Sequence, residues 1–322
     1  MRGEGARVSR SLTSVEVCAG AGGQALGLEM AGFEHLACVE IDPDACKTLK
    51  RNRPNWNVIE ADLRAWEPDP SLVGVDLLAG GVPCPPFSIA GRQLGEADER
   101  DLFPEMIRLA RILQPKAVMI ENVRGLLGVK FQNYRERILK EFESMGYLSC
   151  GWELVNAADF GVPQSRSRAI LVLVRAEHIF DFQWPSALDN RVSVGDALAR
   201  LMGENGWCGA SEWAANAQGV APTLVGGSKK HGGADLGPSR AKAAWLDLGV
   251  DGRGISDAPP DPDFEGLPRL TVKMAAAIQG FPESWVFEGK KTPAYRQVGN
   301  AFPPPVARSI GAEVRRALET RH

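Results

Sequence analysis

No stretch of this chain approaches the roughly 18 consecutive apolar residues that a membrane span requires. Met1 to Arg10 carries no apolar segment of the kind a secretory signal needs. A cytoplasmic protein is therefore the expectation. Cysteine is sparse: the six residues Cys18, Cys38, Cys46, Cys84, Cys150 and Cys208 form no C-x-x-C pair and have no histidine at zinc spacing. That argues against a disulfide scaffold and a metal site, and leaves reduced thiols, most of them small buried hydrophobes. The phosphate loop G-x-x-x-x-G-K-[ST] is missing, which argues against ATP as a ligand. Positive charge is not in excess either. The net charge is -3, so any contact with nucleic acid must rest on a local basic patch. There is no internal repeat. With 44% hydrophobic and 24% charged residues over 322 positions, disorder is not expected, and the chain can bury one large core with residues left for a smaller second domain.

What is present begins with a rhythm. Apolar runs at Ser14 to Cys18, Glu34 to Glu40, Val75 to Ala79 and Ala117 to Ile120 alternate with helical stretches, one starting at Gly22 and one spanning Pro43 to Asn52. This βαβα order predicts a doubly wound, mostly parallel sheet. Tyr134 to Met145 reads as an amphipathic helix and Ala169 to Val174 as a further strand. From about Trp184 to Pro268 the pattern fades into Gly, Ala, Asp and Pro, predicting an irregular second domain. A short helix from Thr271 to Gln279 and one from Val306 to Leu318, entered through Pro303, Pro304 and Pro305, close the chain.

Two sets of residues carry chemistry. At the turn after the first strand stand Cys18, Ala19, Gly20, Ala21, Gly22 and Gly23. Glycines there either let a ligand approach the backbone or merely permit tight packing. Glu40 ends the second strand about 20 residues on, where a carboxylate can accept from ribose hydroxyls. Asp62, after Ile59-Glu60-Ala61, ends a third strand and can accept from an adenine amine. Either carboxylate alone is equally an ordinary solvated strand end. The second set starts with Gly80-Gly81-Val82-Pro83-Cys84-Pro85-Pro86, a thiol held between prolines beyond the fourth strand. Glu121-Asn122-Val123 ends the next strand, so the Glu121 carboxylate should emerge beside Cys84. Arg166 and Arg168 alternate onto one face ahead of the strand at Ala169. An inert loop thiol and a solvent-facing basic pair are the bland alternatives.

In order and over most of its length, the chain resembles the bacterial DNA (cytosine-5) methyltransferase family. Glu16 to Gly27 is similar to that family's first motif, Pro83-Cys84 to its nucleophile motif, Glu121-Asn122-Val123 to its acid motif and Gln164-x-Arg166-x-Arg168 to its arginine motif. Arg269-Leu270-Thr271 with Gln279-Gly280-Phe281-Pro282, and Gln297-Val298-Gly299-Asn300-Ala301, match the C-terminal motifs. The resemblance implies S-adenosylmethionine as donor, S-adenosylhomocysteine as product and no metal. It implies a donor pocket drawn from Cys18, Ala19, Gly20, Gly22, Gly23, Glu40, Ile41, Asp62, Leu63, Pro83, Leu102, Asn300 and Ala301. Catalysis would fall to Cys84, Glu121, Arg166 and Arg168 on a cytosine flipped out of double-stranded DNA.

DNA contacts would come from Ser88, Arg92 and Gln93 in a polar, glycine-hinged loop, from Thr223 and Leu224, which resemble a Thr-Leu recognition element, and from Lys229 and Lys230. Two departures stand out. Cys18 and Ile41 occupy positions where the family often has aromatic residues, so adenine packing should be weaker. The same resemblance divides the chain into a catalytic part at 1–180, a target-recognition part at 181–291 and a segment at 292–322 that returns to the first. It implies a monomer working beside a cognate restriction endonuclease, away from membranes. RNA cytosine methylation and a catalytically inactive DNA-binding accessory are the rival readings.

Overall fold

The computed structural model describes residues 11–83, 101–189, 191–226 and 234–320. Cys84, Ser88, Arg92, Gln93, Lys229 and Lys230 lie outside the described residues.

Strand β1 (Leu12–Val17) leads into helix α1 (Gly23–Met30), β2 (Phe33–Glu40), α2 (Pro43–Asn52) and β3 (Val58–Glu60). The chain then returns through β4 (Leu77–Gly80), α3 (Phe103–Leu113), β5 (Ala117–Val123), α4 (Gln132–Glu143) and β6 (Tyr147–Asn156). Two-residue β7 (Gln164–Ser165) precedes β8 (Ser167–Arg175). Seven strands form one sheet in the order β3-β2-β1-β4-β5-β8-β6, parallel except for β8, which pairs antiparallel with both β5 and β6. The chain moves outward from β1 to β3 and then restarts at β4 beside β1, which opens a crevice at the carboxyl ends of those neighbours.

Period-two alternation explains the layering. Val118 and Ile120 of β5 and Leu171 and Leu173 of β8 join α3 and α4 on one face. Ala117, Met119, Ile170, Val172 and Val174 join α10 (Pro304–Glu319) on the other. Helix α10 lies close on α1 because Gly27 and Gly311 omit side chains. A Cβ on Gly27 would stand 2.4 Å from the Pro304 carbonyl, and one on Gly311 would stand 2.8 Å from Leu28.

Helix α2 has the bounds read from the sequence, since Asp42 caps it by accepting from the Asp44 and Ala45 amides and Pro43 opens it. Helix α8 (Val272–Ile278) is capped by Thr271 in the same manner. The stretch between Trp184 and Pro268 is irregular over most of its described residues but holds three short helices that the sequence reading did not place. These are α5 (Val194–Met202), α6 (Ala210–Asn216) and α7 (Ser239–Asp247), with β9 (Ala221–Pro222) between the last two. A capping box starts α5: Ser193 accepts from the Asp196 amide at 3.0 Å, and Asp196 accepts from the Ser193 amide at 3.3 Å. Apolar residues of these helices, Leu198, Leu201, Trp213 and Trp245, share one core with Ala25, Leu26 and Leu49 from the start of the chain. Helix α9 (Lys291–Asn300) then leads back to α10. No described helix is long and apolar enough to cross a membrane.

Candidate active site

A cavity of about 880 Å³ opens at the carboxyl ends of β1, β2, β4 and β5. Its wall gathers Cys18, Ala19 and Gly20, then Glu40, Gly81 to Pro83, Glu121 to Val123, Arg166 and Arg168, Leu224 to Gly226, and Gly299 to Phe302. Segments separated by almost the whole chain length thus meet around one space.

The first turn is shaped by backbone conformation. Cys18 and Gly20 both have positive φ, at 50° and 54°. A Cβ on Gly20 would meet nothing within 4 Å, so this turn presents bare backbone to the cavity. Gly22 and Gly23 do different work: a Cβ on Gly23 would fall 2.1 Å from the Phe302 carbonyl, and one on Gly22 would fall 2.6 Å from Leu49. They serve packing and stand off the cavity wall. Glu40 holds the turn in place, accepting from the Gly20 amide at 2.7 Å and from the Ile41 and Asp42 amides at 2.9 and 2.8 Å.

Other residues expected in this pocket are placed apart. The Asp62 carboxylate is bonded by the Arg64 guanidinium, at 2.8 and 3.1 Å, and by its amide, which together hold it below the usual carboxylate range. It lies off the cavity wall, yet near enough to Cys18 to raise that thiol electrostatically. Leu63 is buried in the core against which Cys18 and Leu102 pack, and Ile41 is 58% exposed. Asn300 and Ala301 do reach the cavity.

At the opposite end, Arg168 Nε stands 2.8 Å from Glu121 Oε1, with both side chains mostly buried. Antiparallel register makes this pair: Val123 lies opposite Arg168 and Glu121 opposite Ile170, so the two side chains are same-face diagonal neighbours. Asn122 donates to the Val82 carbonyl at 2.8 Å and ties the segment leading to Cys84 against β5. The Leu102 amide donates to the Pro83 carbonyl at 3.2 Å, so the residues on either side of 84–101 are joined. A Cβ on Gly81 would stand 2.9 Å from Glu121 Oε2.

Arg166, expected beside Arg168 in catalysis, reaches the same wall with its guanidinium bonded to distant backbone. It is 2% exposed and donates to the Leu224 carbonyl at 2.8 Å and the Gly299 carbonyl at 3.0 Å. Burial, and then Arg168, push its guanidinium down to about 9, which still leaves it charged at neutral pH. Gln164 extends the junction, accepting from the Leu224 amide and donating to Gln279, which in turn donates to the Ala301 carbonyl. Gln164, Arg166, Leu224, Gln279, Gly299 and Ala301 are therefore one hydrogen-bonded knot. Within it Leu224 is fully buried at the cavity wall, and Thr223 donates its hydroxyl to the Ser165 carbonyl.

Two wall residues carried no assigned role in the sequence reading. Glu16 and Gln24 border the cavity, and neither oxygen of Glu16 nor either polar atom of Gln24 has a hydrogen-bond partner. Burial, and then the Glu121 charge, raise the Glu16 carboxyl well above its ordinary range. Burial likewise holds up the Cys18 and Cys38 thiols and pushes Cys46 and Cys150 up to about 12. Among the described residues no cluster of His, Cys, Asp and Glu could hold a metal ion.

A sheet of this order, with a cavity at its switch point walled by a glycine turn on one side and an acid-arginine pair on the other, matches the methyltransferase fold. The model of the C-5 cytosine-specific DNA methylase family matches residues 12–316. This chain belongs to that family and is a DNA (cytosine-5) methyltransferase. It is 53% identical over 318 residues to the type II methyltransferase M.NaeI of Lentzea aerocolonigenes, covering 96% of this chain and 76% of that protein. It is 53% identical over 311 residues to M.NgoMIV of Neisseria gonorrhoeae, covering 95% and 98%. In fold it is similar to a prophage-encoded protein of E. coli (TM-score 0.68, 22% identity, 96% of this chain and 100% of that one). It is also similar to the S. pombe Dnmt2 methyltransferase (TM-score 0.64, 16% identity, 96% and 100%).

Proposed function

We propose that this chain is the modification enzyme of a restriction-modification system, methylating carbon 5 of a cytosine turned out of double-stranded DNA with S-adenosylmethionine as donor. The observation that carries this reading is the single cavity in which the Gly20–Glu40 turn faces the Glu121–Arg168 pair across Gly81 to Pro83. Its volume suits a nucleoside with a short tail. Bare backbone at Gly20 and the unpartnered polar atoms of Glu16 and Gln24 are features that such a ligand would complete. When bound, the donor supplies an electrophilic methyl group on a sulfonium.

Carbon 5 of cytosine is too weak a nucleophile to take that methyl unaided. Cys84 attacks carbon 6 as its thiolate, and the electron pair moves into the ring and makes carbon 5 nucleophilic. Glu121 holds ring nitrogen 3 and the exocyclic amine, while Arg168 holds both the Glu121 carboxylate and the pyrimidine carbonyl. After methyl transfer, loss of the carbon-5 proton to solvent restores the ring double bond and expels Cys84. The raised thiols of Cys18, Cys38, Cys46 and Cys150 support this choice of nucleophile, since each is held protonated at neutral pH. Glu40, with Ala19, Gly20, Pro83, Asn300 and Ala301, would hold the nucleoside.

Target choice would belong to residues 181–291, because the catalytic groups meet only the flipped base. Thr223 through its hydroxyl and Leu224 through its backbone anchor that segment to β7 and Arg166, leaving base reading to exposed residues beyond Leu224. The deciding experiment is tritium transfer from labelled donor to DNA and to RNA, followed by trapping on DNA carrying 5-fluorocytosine, whose fluorine cannot leave as a proton. A DNA-only transfer and an adduct mapped to Cys84 are expected. Transfer to RNA alone, or an adduct on another cysteine, contradicts the reading.

A further inference from the structure

We infer that Trp285 is a positioning residue for the turn after β1: its indole N–H holds the Ala21 carbonyl in place from the side that Glu40 does not reach, and so sets the donor affinity of the cavity. This rests on the donor reading above. The turn needs holding, because Cys18, Gly20 and Gly22 all have positive φ, at 50°, 54° and 88°. Glycine loses more conformational freedom on folding than any other residue, and a left-handed run of this kind persists only where its surroundings over-determine it.

The turn has two handles. On the β2 side the Gly20 amide is bonded to Glu40, and the Ala19 amide donates to the Val39 carbonyl at 3.1 Å. On the other side Trp285, 264 positions along the chain, donates from Nε1 to the Ala21 carbonyl at 3.1 Å. The side chain is 5% exposed and closes on Gly22, where a Cβ would stand 2.9 Å from its ring. Ala21 lines the cavity, so a shift of its carbonyl moves the wall.

Trp285 lies in the link between α8 and α9, and α2 fixes that link. Asn52 accepts from the Val286 amide at 2.8 Å and donates to the Val286 carbonyl at 2.7 Å, while Thr48 accepts from the Glu288 amide at 2.9 Å. The Arg53 guanidinium, paired with Glu29, lies 5.2 Å from the Trp285 ring and 5.8 Å from the Trp56 ring. Trp56 is an internal comparison: it shares the stack, yet its indole donates to Glu29 and not to the turn.

The test is calorimetric binding of S-adenosylhomocysteine to the full chain, with steady-state kinetics beside it. Trp285→Phe keeps an aromatic ring and removes the N–H. It should weaken S-adenosylhomocysteine about three- to tenfold, as for one lost hydrogen bond, and raise the donor KM alike, with kcat at saturating donor within about twofold. Trp56→Phe loses a hydrogen bond in the same stack and should leave donor affinity unchanged. Asn52→Ala, which frees the Val286 backbone, should weaken the ligand in the same direction and replaces Trp285→Phe if that variant does not fold. Equal loss in Trp56→Phe and Trp285→Phe would make the stack merely structural and overturn the inference. So would unchanged affinity in Trp285→Phe, or in Asn52→Ala where it stands in. Failure of the unmodified protein to bind S-adenosylhomocysteine would instead refute the donor reading itself.

Discussion

The two ends of the cavity solve the problem of buried charge in opposite ways. At the base end, Glu121 and Arg168 neutralise each other at 2.8 Å before any substrate arrives. At the donor end, Glu16 and Gln24 have no partner, and Glu40 is bonded to backbone amides. A pre-paired acid and arginine keep their geometry fixed while awaiting a neutral base, as a site acting by preorganised hydrogen bonds requires. An unpaired end leaves its stabilisation to the ligand. On the proposed function, the Glu121 end would be built for positioning and the Glu16 end for affinity.

The comparison breaks most completely at Cys84. Cys84→Ala should abolish methyl transfer while specific DNA binding, read by gel shift, stays within a fewfold. Loss of binding together with activity would remove the distinction between chemistry and recognition.

Next in size are the two arginines, which should separate activity from stability. Arg166→Met leaves the Leu224 and Gly299 carbonyls without donors, at about 1–3 kcal/mol each, so the urea midpoint should fall clearly. Arg168→Lys, which keeps a cation beside Glu121, should change that midpoint little, while loss of the guanidinium fork on the pyrimidine carbonyl should lower kcat by about a hundredfold or more. Similar midpoints for both variants would show that the knot around Leu224 and Gly299 does not need Arg166.

A smaller effect sharpens the donor end. Glu40→Ala should raise the apparent constant for S-adenosylmethionine by an amount equivalent to about 1–3 kcal/mol, whereas Asp62→Ala, already bonded to Arg64, should change it less. Equal effects in the two variants would return Asp62 to the pocket.

The smallest concerns pH. The Glu16 carboxyl is raised in the folded chain, so the native state binds its proton more tightly than the unfolded state. Stability from that proton is complete below the ordinary carboxylate range and is lost as pH climbs toward the raised value. Glu16→Gln should therefore leave Tm nearly unchanged at acid pH and raise it increasingly above the ordinary range. A constant difference across pH would mean that Glu16 does not titrate as its burial implies.

Legibility in the sequence followed local signals. Asp42 and Pro43 state the start of α2 in adjacent residues, and the strand ends carrying Glu40 and Glu121 follow from apolar runs closed by an acid. Helix α3 is hard to read from the sequence although Phe103, Met106, Ala110 and Leu113 give it a helical period, because no capping side chain and only Pro104 mark its start. The Ser193–Asp196 capping box was present in the sequence between 184 and 268, but glycine and proline on either side obscured it. Helix α9 coincides with a functional motif whose residues were read for chemistry and not for periodicity.

The sequence by itself determined which groups exist and which strand ends carry them, because strands, caps and turns are decided by residues within a few positions of one another. Partnership was decided only by the tertiary structure. Arg166 and Arg168 are the same residue type two positions apart, yet one bridges the carbonyls of Leu224 and Gly299 and the other pairs with Glu121. Gly20 and Gly23 share one turn, yet one opens to the cavity and the other packs against Phe302. Those fates depend on contacts between segments up to about the full chain length apart, and no local pattern encodes which distant carbonyl, carboxylate or helix will occupy the space beside a given side chain.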